Sequence, residues 1–199
     1  MPALANSPVS VKEFVNKDNS TWVPHVSSLS PAPSVLFSGL ATTRANAGSF
    51  EAQYKLEHDL NVEIAKAAKQ AGTKTCVIIS ANSSNANSYF PYVRMKGEIE
   101  EHIKEVGFDH TIIVRPGLIS GRRDETRFAE GLFRGVAAGL GKISTHWLKD
   151  FWAQDADVIA RAAINAAVRA KKGEVKDKVW ILEQKDIVRL GRTEWKPLH

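Results

Sequence analysis

Tyr92 and Lys96 stand four residues apart in the stretch YFPYVRMKGEIEEHI, Tyr89–Ile103. On a helix that spacing projects both side chains from one face. A phenol with an ordinary pKa near 10 is a poor proton-transfer group at neutral pH, and a nearby ammonium draws that pKa down. The pair is therefore a candidate acid/base unit. Spacing alone does not establish it, because a Tyr with a Lys four later arises by chance about one time in four in a chain of this composition. A tyrosine at the core edge beside a lysine that extends its stem to solvent has the same spacing.

The elements around the pair give it context. SVLFSGL from Ser34 predicts a buried strand, and a turn-rich ATTRANAG follows it. Phe50, Tyr54, Leu60, Ile64 and Ala68 then recur at near-helical spacing up to Gly72, which is placed to cap the helix. TKTCVIIS is a second strand, rich in β-branched residues and ending in Ser80. After the polar loop SANSSNANS, the residues Tyr92, Met95, Ile99, Ile103 and Val106 form one helical stripe. Glu98, Glu100, Glu101 and Lys104 fall mostly outside that stripe, and Gly107 should end the helix. HTIIVRPG is a third strand, QDADVIARAAINAAVRAKKG a further amphipathic helix, and VWILEQ and DIVRLG a closing strand and short helix. Alternating helices and continuously apolar strands predict a Rossmann-like α/β fold, a parallel sheet with helices on both faces.

Composition bounds the remaining possibilities. A chain of 199 residues with 43% hydrophobic and 25% charged residues suits a single domain spanning 1–199. Five of its eight prolines lie in the first 33 residues, which predicts an irregular segment with at most short elements. The net charge of +5 is dispersed, and its densest pairs, Arg122-Arg123 and Lys171-Lys172, are too small for a nucleic-acid footprint. It supports at most a mild attraction to anionic cofactors or membrane surfaces. No apolar run approaches the length of a membrane span, and the N-terminal residues fit neither a secretory signal nor a transit peptide. Cys76, the lone cysteine, has no partner for a disulfide and reads as an inert buried thiol. No histidine spacing such as HExxH is present, so a metal-dependent hydrolase finds no support and no metal ligand is assigned.

The motifs SAN…PYVRMKGEIE and FDHTIIVRPGLISGRR resemble the short-chain dehydrogenase/reductase superfamily in its atypical and extended branches. FSGLATTRANAG, HDLNVEIAKAAK and DIVRLGRTEWK bring the likeness closer to the fungal "found in mitochondrial proteome" family and the animal Tat-interactive oxidoreductase-like protein. The resemblance runs from about Asn16 to Lys196, with the motifs in fixed order. It implies an NADP or NAD cofactor and a small carbonyl or hydroxyl substrate. Tyr92 would be the general acid/base. Lys96 would bind the nicotinamide ribose and lower the Tyr92 pKa, and Ser80 would polarise the carbonyl. Asn61 would complete a tetrad, or else be a helix asparagine satisfied by backbone or water. Pro116, Gly117 and Leu118 match the turn at the nicotinamide end, and Ser38, Gly39 and Leu40 the strand end on the adenosine side. For Arg115-Pro116-Gly117 a plain strand-ending turn is the competing reading. The resemblance also implies a peripheral seat on the mitochondrial outer membrane.

One element of the family pattern is not in this sequence. Such folds hold the pyrophosphate in a Gly-rich turn between the first strand and first helix. No glycine precedes Gly39, and the run from Gly131 to Gly141 follows no strand. The first βαβ unit is thus read as missing. The expectation is an oxidoreductase of this type or, alternatively, a truncated member serving as a binding or scaffold protein. The sheet edge left open would invite self-association.

Overall fold

The computed structural model describes residues 12–120 and 153–196. Arg122-Arg123 and the Gly131–Gly141 run lie outside them. The proline-containing segment carries a 3₁₀ turn, Asn19–Thr21, and a short helix α1, Trp22–Ser27. Four strands then form a parallel sheet: β1 (Val35–Ser38), β2 (Thr75–Ile79), β3 (His110–Val114) and β6 (Val179–Leu182), in the order β1-β2-β3-β6. A small parallel pair, β4 (Leu118–Ser120) with β5 (Ala153–Asp155), was not read from the sequence. Three residues each are too few to show a period.

Between β1 and β2 the expected single helix is a composite. Helix α2 (Arg44–Ala47) and helix α3 (Phe50–Tyr54) are capped by Thr43 and Ser49, whose hydroxyls accept from the Asn46 and Ala52 amides. A π turn, Lys55–Asp59, then leads into α4, Leu60–Ala71. Helix α5, Pro91–Val106, comes after β2 and opens on a proline, whose missing N–H has no intrahelical partner there to lose. Gly72 and Gly107 end α4 and α5 at φ +109° and +77°, conformations only glycine adopts at little cost. Helix α6, Ala156–Lys171, precedes β6, and α7, Gln184–Val188, runs into a second π turn, Arg189–Thr193.

Successive strand residues point to opposite faces, and both faces are covered. Cys76, Ile78 and Ile113 meet α4 and α5 through Val62, Ala65, Met95, Ile99 and Ile103. Val77, Ile112, Val114 and Leu182 meet α6 through Val158, Ile159 and a ladder of alanines. This is why the strands read as unbroken apolar runs. Strand β1 pairs with β2 alone among the described residues, and its Phe37 is 49% exposed.

Candidate active site

Tyr92 lies one residue inside the N-terminus of α5, and at 48% exposure it is the one stripe residue that emerges from the core. Met95, Ile99 and Ile103 below it are buried. Lys96, one turn on, is also buried, and its ammonium sits 5.9 Å from the centre of the Tyr92 ring. The ammonium does not depress the phenol as expected. Burial raises the Tyr92 pKa, and the negative charge of Glu57 raises it further. The physical reason is that the Lys96 charge already has a counterion: its Nζ lies 2.7 Å from Glu57 Oε2. A charge paired within 3 Å presents little field beyond its partner.

Ser80 sits just past the end of β2, where its amide donates to the Val114 carbonyl at 2.8 Å. Its hydroxyl donates to Glu100 Oε1 at 2.5 Å and shares a 3.0 Å hydrogen bond with the Ser84 hydroxyl. Glu100 is the next residue on the Tyr92–Lys96 face and is 1% exposed. Arg115 neutralises it through two hydrogen bonds, Nε to Oε1 at 2.9 Å and Nη2 to Oε2 at 2.6 Å, and reaches Glu183 at 3.3 Å. These bonds, Glu100 foremost, hold the guanidinium pKa above its ordinary value.

The remaining expected residues spread along the strand ends. Asn61 turns to Ser38, whose hydroxyl donates to Asn61 Oδ1 at 2.8 Å, with both residues buried. A Cβ built on Gly39 would meet nothing within 4 Å, so the backbone there faces open space, and Leu40 is half-buried. Pro116 is buried and its carbonyl accepts the Asn82 amide at 2.9 Å, while Gly117 leads into Leu118 at the start of β4. Tyr92, Lys96 and Ser80 are thus carried at the C-terminal side of the sheet, with the two loops after β2 and β3 laced together.

The loop after β2 is held tightly. A Cβ on Gly97 would lie 2.1 Å from the Ala86 amide nitrogen, so only glycine lets helix and loop approach this closely. Ser83 in that loop takes φ +63°, which a side chain rarely adopts. A cleft of about 580 Å³ opens between this loop, Gly97, Glu100, Glu101 and Arg115.

Sequence reading missed Glu57 and Glu100. It counted Glu100 as outside the stripe, although Tyr92, Lys96 and Glu100 form an unbroken i, i+4, i+8 series. Glu57 sits in the largely polar KLEHD, where no periodicity marks a buried residue.

The fold, with its parallel sheet and strand-end loops, defines a Rossmann-like α/β protein. Solved structures superpose on it: UDP-glucose 4-epimerase from Brucella ovis in complex with NAD, TM-score 0.58 at 14% identity, covers 86% of this chain and 65% of that one. MoeE5 in complex with UDP-glucose and NAD gives TM-score 0.52 at 16% identity, covering 85% of this chain and 66% of its own. The chain therefore spans just under two thirds of these structures, and at such identities the likeness bears on the fold alone. Sequence comparison narrows the class. The HIM1 family model matches residues 2–140. "Protein fmp52, mitochondrial" of Aspergillus niger is 54% identical over 194 residues, 96% of this chain and 82% of that protein. "Protein fmp-52, mitochondrial" of Neurospora crassa is 46% identical over 198 residues, 98% and 82% respectively. The chain belongs to the HIM1 family, among the fungal fmp52 proteins named as mitochondrial.

Proposed function

We propose that this chain is an NAD(P)-dependent oxidoreductase of the short-chain dehydrogenase type, reducing a small carbonyl compound at the mitochondrion. The observation that carries this reading is the shared face of α5, on which Tyr92 is exposed directly beside a buried, ion-paired Lys96.

The residues fit one end of a dinucleotide better than the other. Lys96, ion-paired with Glu57, carries three N–H donors and Tyr92 offers its hydroxyl, so a ribose hydroxyl and a reacting carbonyl would both find donors. The open backbone at Gly39 admits close approach on the adenosine side. A Gly-rich cradle for the pyrophosphate has no counterpart among the described residues. When bound, the reduced nicotinamide supplies the hydride. The chain supplies the proton. Tyr92 carries its proton at neutral pH and can donate it to the developing alkoxide, although burial and Glu57 make it a weaker acid than an ordinary phenol. Ser80 gives its hydrogen to Glu100, so polarising a carbonyl requires that bond to be exchanged.

Fluorescence titration of the full chain with NADPH and NADH tests the proposal. Saturable binding is expected, and flat signals with both would overturn it. Tyr92→Phe should abolish turnover with the fold intact. A second reading, a family member kept as a binding or scaffold protein, draws on the carboxylates that occupy both Lys96 and Ser80. Flat titrations would leave that one standing. The peripheral seat on the outer membrane is proposed on the resemblance and the dispersed net charge of +5, and alkaline extraction of isolated mitochondria tests it.

A further inference from the structure

We propose that Glu57 is a positioning residue of this site, holding the Lys96 ammonium beneath the Tyr92 ring and tying it to the loop after β1. Its role in turnover rests on the oxidoreductase reading, whereas its hold on Lys96 and the loop does not.

The placement begins with the backbone. A π turn carries one residue more than the α-helix around it, which rotates the succeeding helix residues by about 100°. The turn Lys55–Asp59 carries Glu57 inward to 1% exposure, although its neighbours Lys55 and Asp59 stay at the surface. Each carboxylate oxygen then has its own task. Oε1 accepts from the Thr42 amide at 3.0 Å and from Gln53 Nε2 at 2.9 Å. Gln53 Nε2 also donates to the Thr42 carbonyl at 3.1 Å, closing a ring around that residue. Oε2 faces Lys96 Nζ at 2.7 Å as an ion pair and has no hydrogen-bond partner among the described residues.

A buried carboxylate held this way does more than neutralise a lysine. Desolvating an ion pair is costly, and well-packed apolar residues would stabilise the same space as well or better. What the pair provides is geometry, because an ammonium on a four-carbon stem has many rotamers and the fixed carboxylate selects one. Thr42 lies three residues beyond Gly39, so a ligand that orders the strand-end loop would act on Lys96 through a single side chain. Asn61, the residue the family resemblance favours for the tetrad, is one turn further on, with its Oδ1 engaged by Ser38.

The test reads Tyr92 directly and needs no substrate. With Tyr54→Phe and Tyr89→Phe as background, Tyr92 is the one tyrosine left, and its phenolate absorbance gives a titration midpoint. The charges that bear on the ring are Lys96 of its own helix and Glu57 of the π turn. Glu57→Gln removes the negative charge and releases the ammonium, so the midpoint should fall by about one pH unit or more. Adding Lys96→Met should raise it again. Glu57→Asp keeps the charge but withdraws it by one methylene, and hydrogen exchange at the Thr42 amide should then quicken about tenfold. An unchanged midpoint in a folded Glu57→Gln chain overturns the proposal, as does unchanged Thr42 exchange in Glu57→Asp. If Glu57→Gln does not fold, the Glu57→Asp exchange measurement decides alone. NADPH binding reports on the oxidoreductase reading separately, so the two can fail independently.

Discussion

The two faces of the sheet are built from different chemistry. Helix α6 meets its face with Ala162, Ala163, Ala166, Ala167 and Ala170, small residues that bring the helix close over Val77, Ile112 and Leu182. From Ala156 to Lys196 no charged side chain is buried. The opposite face packs Met95, Ile99 and Ile103 as tightly, yet it also buries Glu57, His58, Lys96 and Glu100. There His58 bridges Asp59 and His102, with 2.7 Å contacts on both ring nitrogens. Stability alone is better served by the first arrangement. The second is what a fold holds where it must aim charges, and Tyr92, Lys96 and Ser80 lie on that side.

This contrast can be broken by substitution. Lys96→Met strands the Glu57 carboxylate and should cost about 3–5 kcal/mol in denaturant melts. Adding Glu57→Gln should restore much of the loss, whereas a loss that the second change does not relieve would mean that the lysine stem matters more than its charge. On the apolar face Ile112→Ala should cost about 2–5 kcal/mol through the cavity it leaves, and NADPH affinity of the folded fraction should not change. Gly191→Ala sets a Cβ 2.2 Å from the Val158 carbonyl oxygen, and an overpacking loss of about 1–3 kcal/mol should result. A weakened Tyr92 or NADPH response in that variant would show that the faces are not independent.

The smallest effect concerns Tyr54, which donates to Glu98 at 3.0 Å on the charged face. Burial, with help from Glu98, pushes its pKa from 10.0 up to about 12. A phenol raised in the folded state contributes stability in full below pH 10, and that contribution is lost as pH climbs through 12. Tyr54→Phe should therefore flatten the alkaline limb of a stability profile. An unchanged limb would assign the alkaline loss to other groups.

The apolar face was the more legible one. Runs such as TCVII and HTIIV announce strands buried on both sides, and the alanine period of α6 marks its inward stripe. Gly72 and Gly107 end their helices where the pattern places them. On the charged face the same counting fails in particular ways. It makes one helix of Phe50–Ala71, because a π turn shifts the phase by one residue without changing composition. It places Glu100 in solvent, because polarity along a chain does not disclose an Arg115 that arrives from the turn just past β3. The Tyr92–Lys96 pair itself was legible, but the counterion that alters its electrostatics was not.

The close seat of Gly97 against Asn85 and Ala86 has a consequence for how this region opens. The Asn85 amide donates to the Val93 carbonyl at 3.2 Å, so the loop borrows an acceptor from the first turn of α5. Loop and helix cannot part by a small hinge without losing both that bond and the packing. Their amide protons should exchange as one cooperative unit, with a single opening free energy shared by the Ser80 loop and the helix that carries Tyr92.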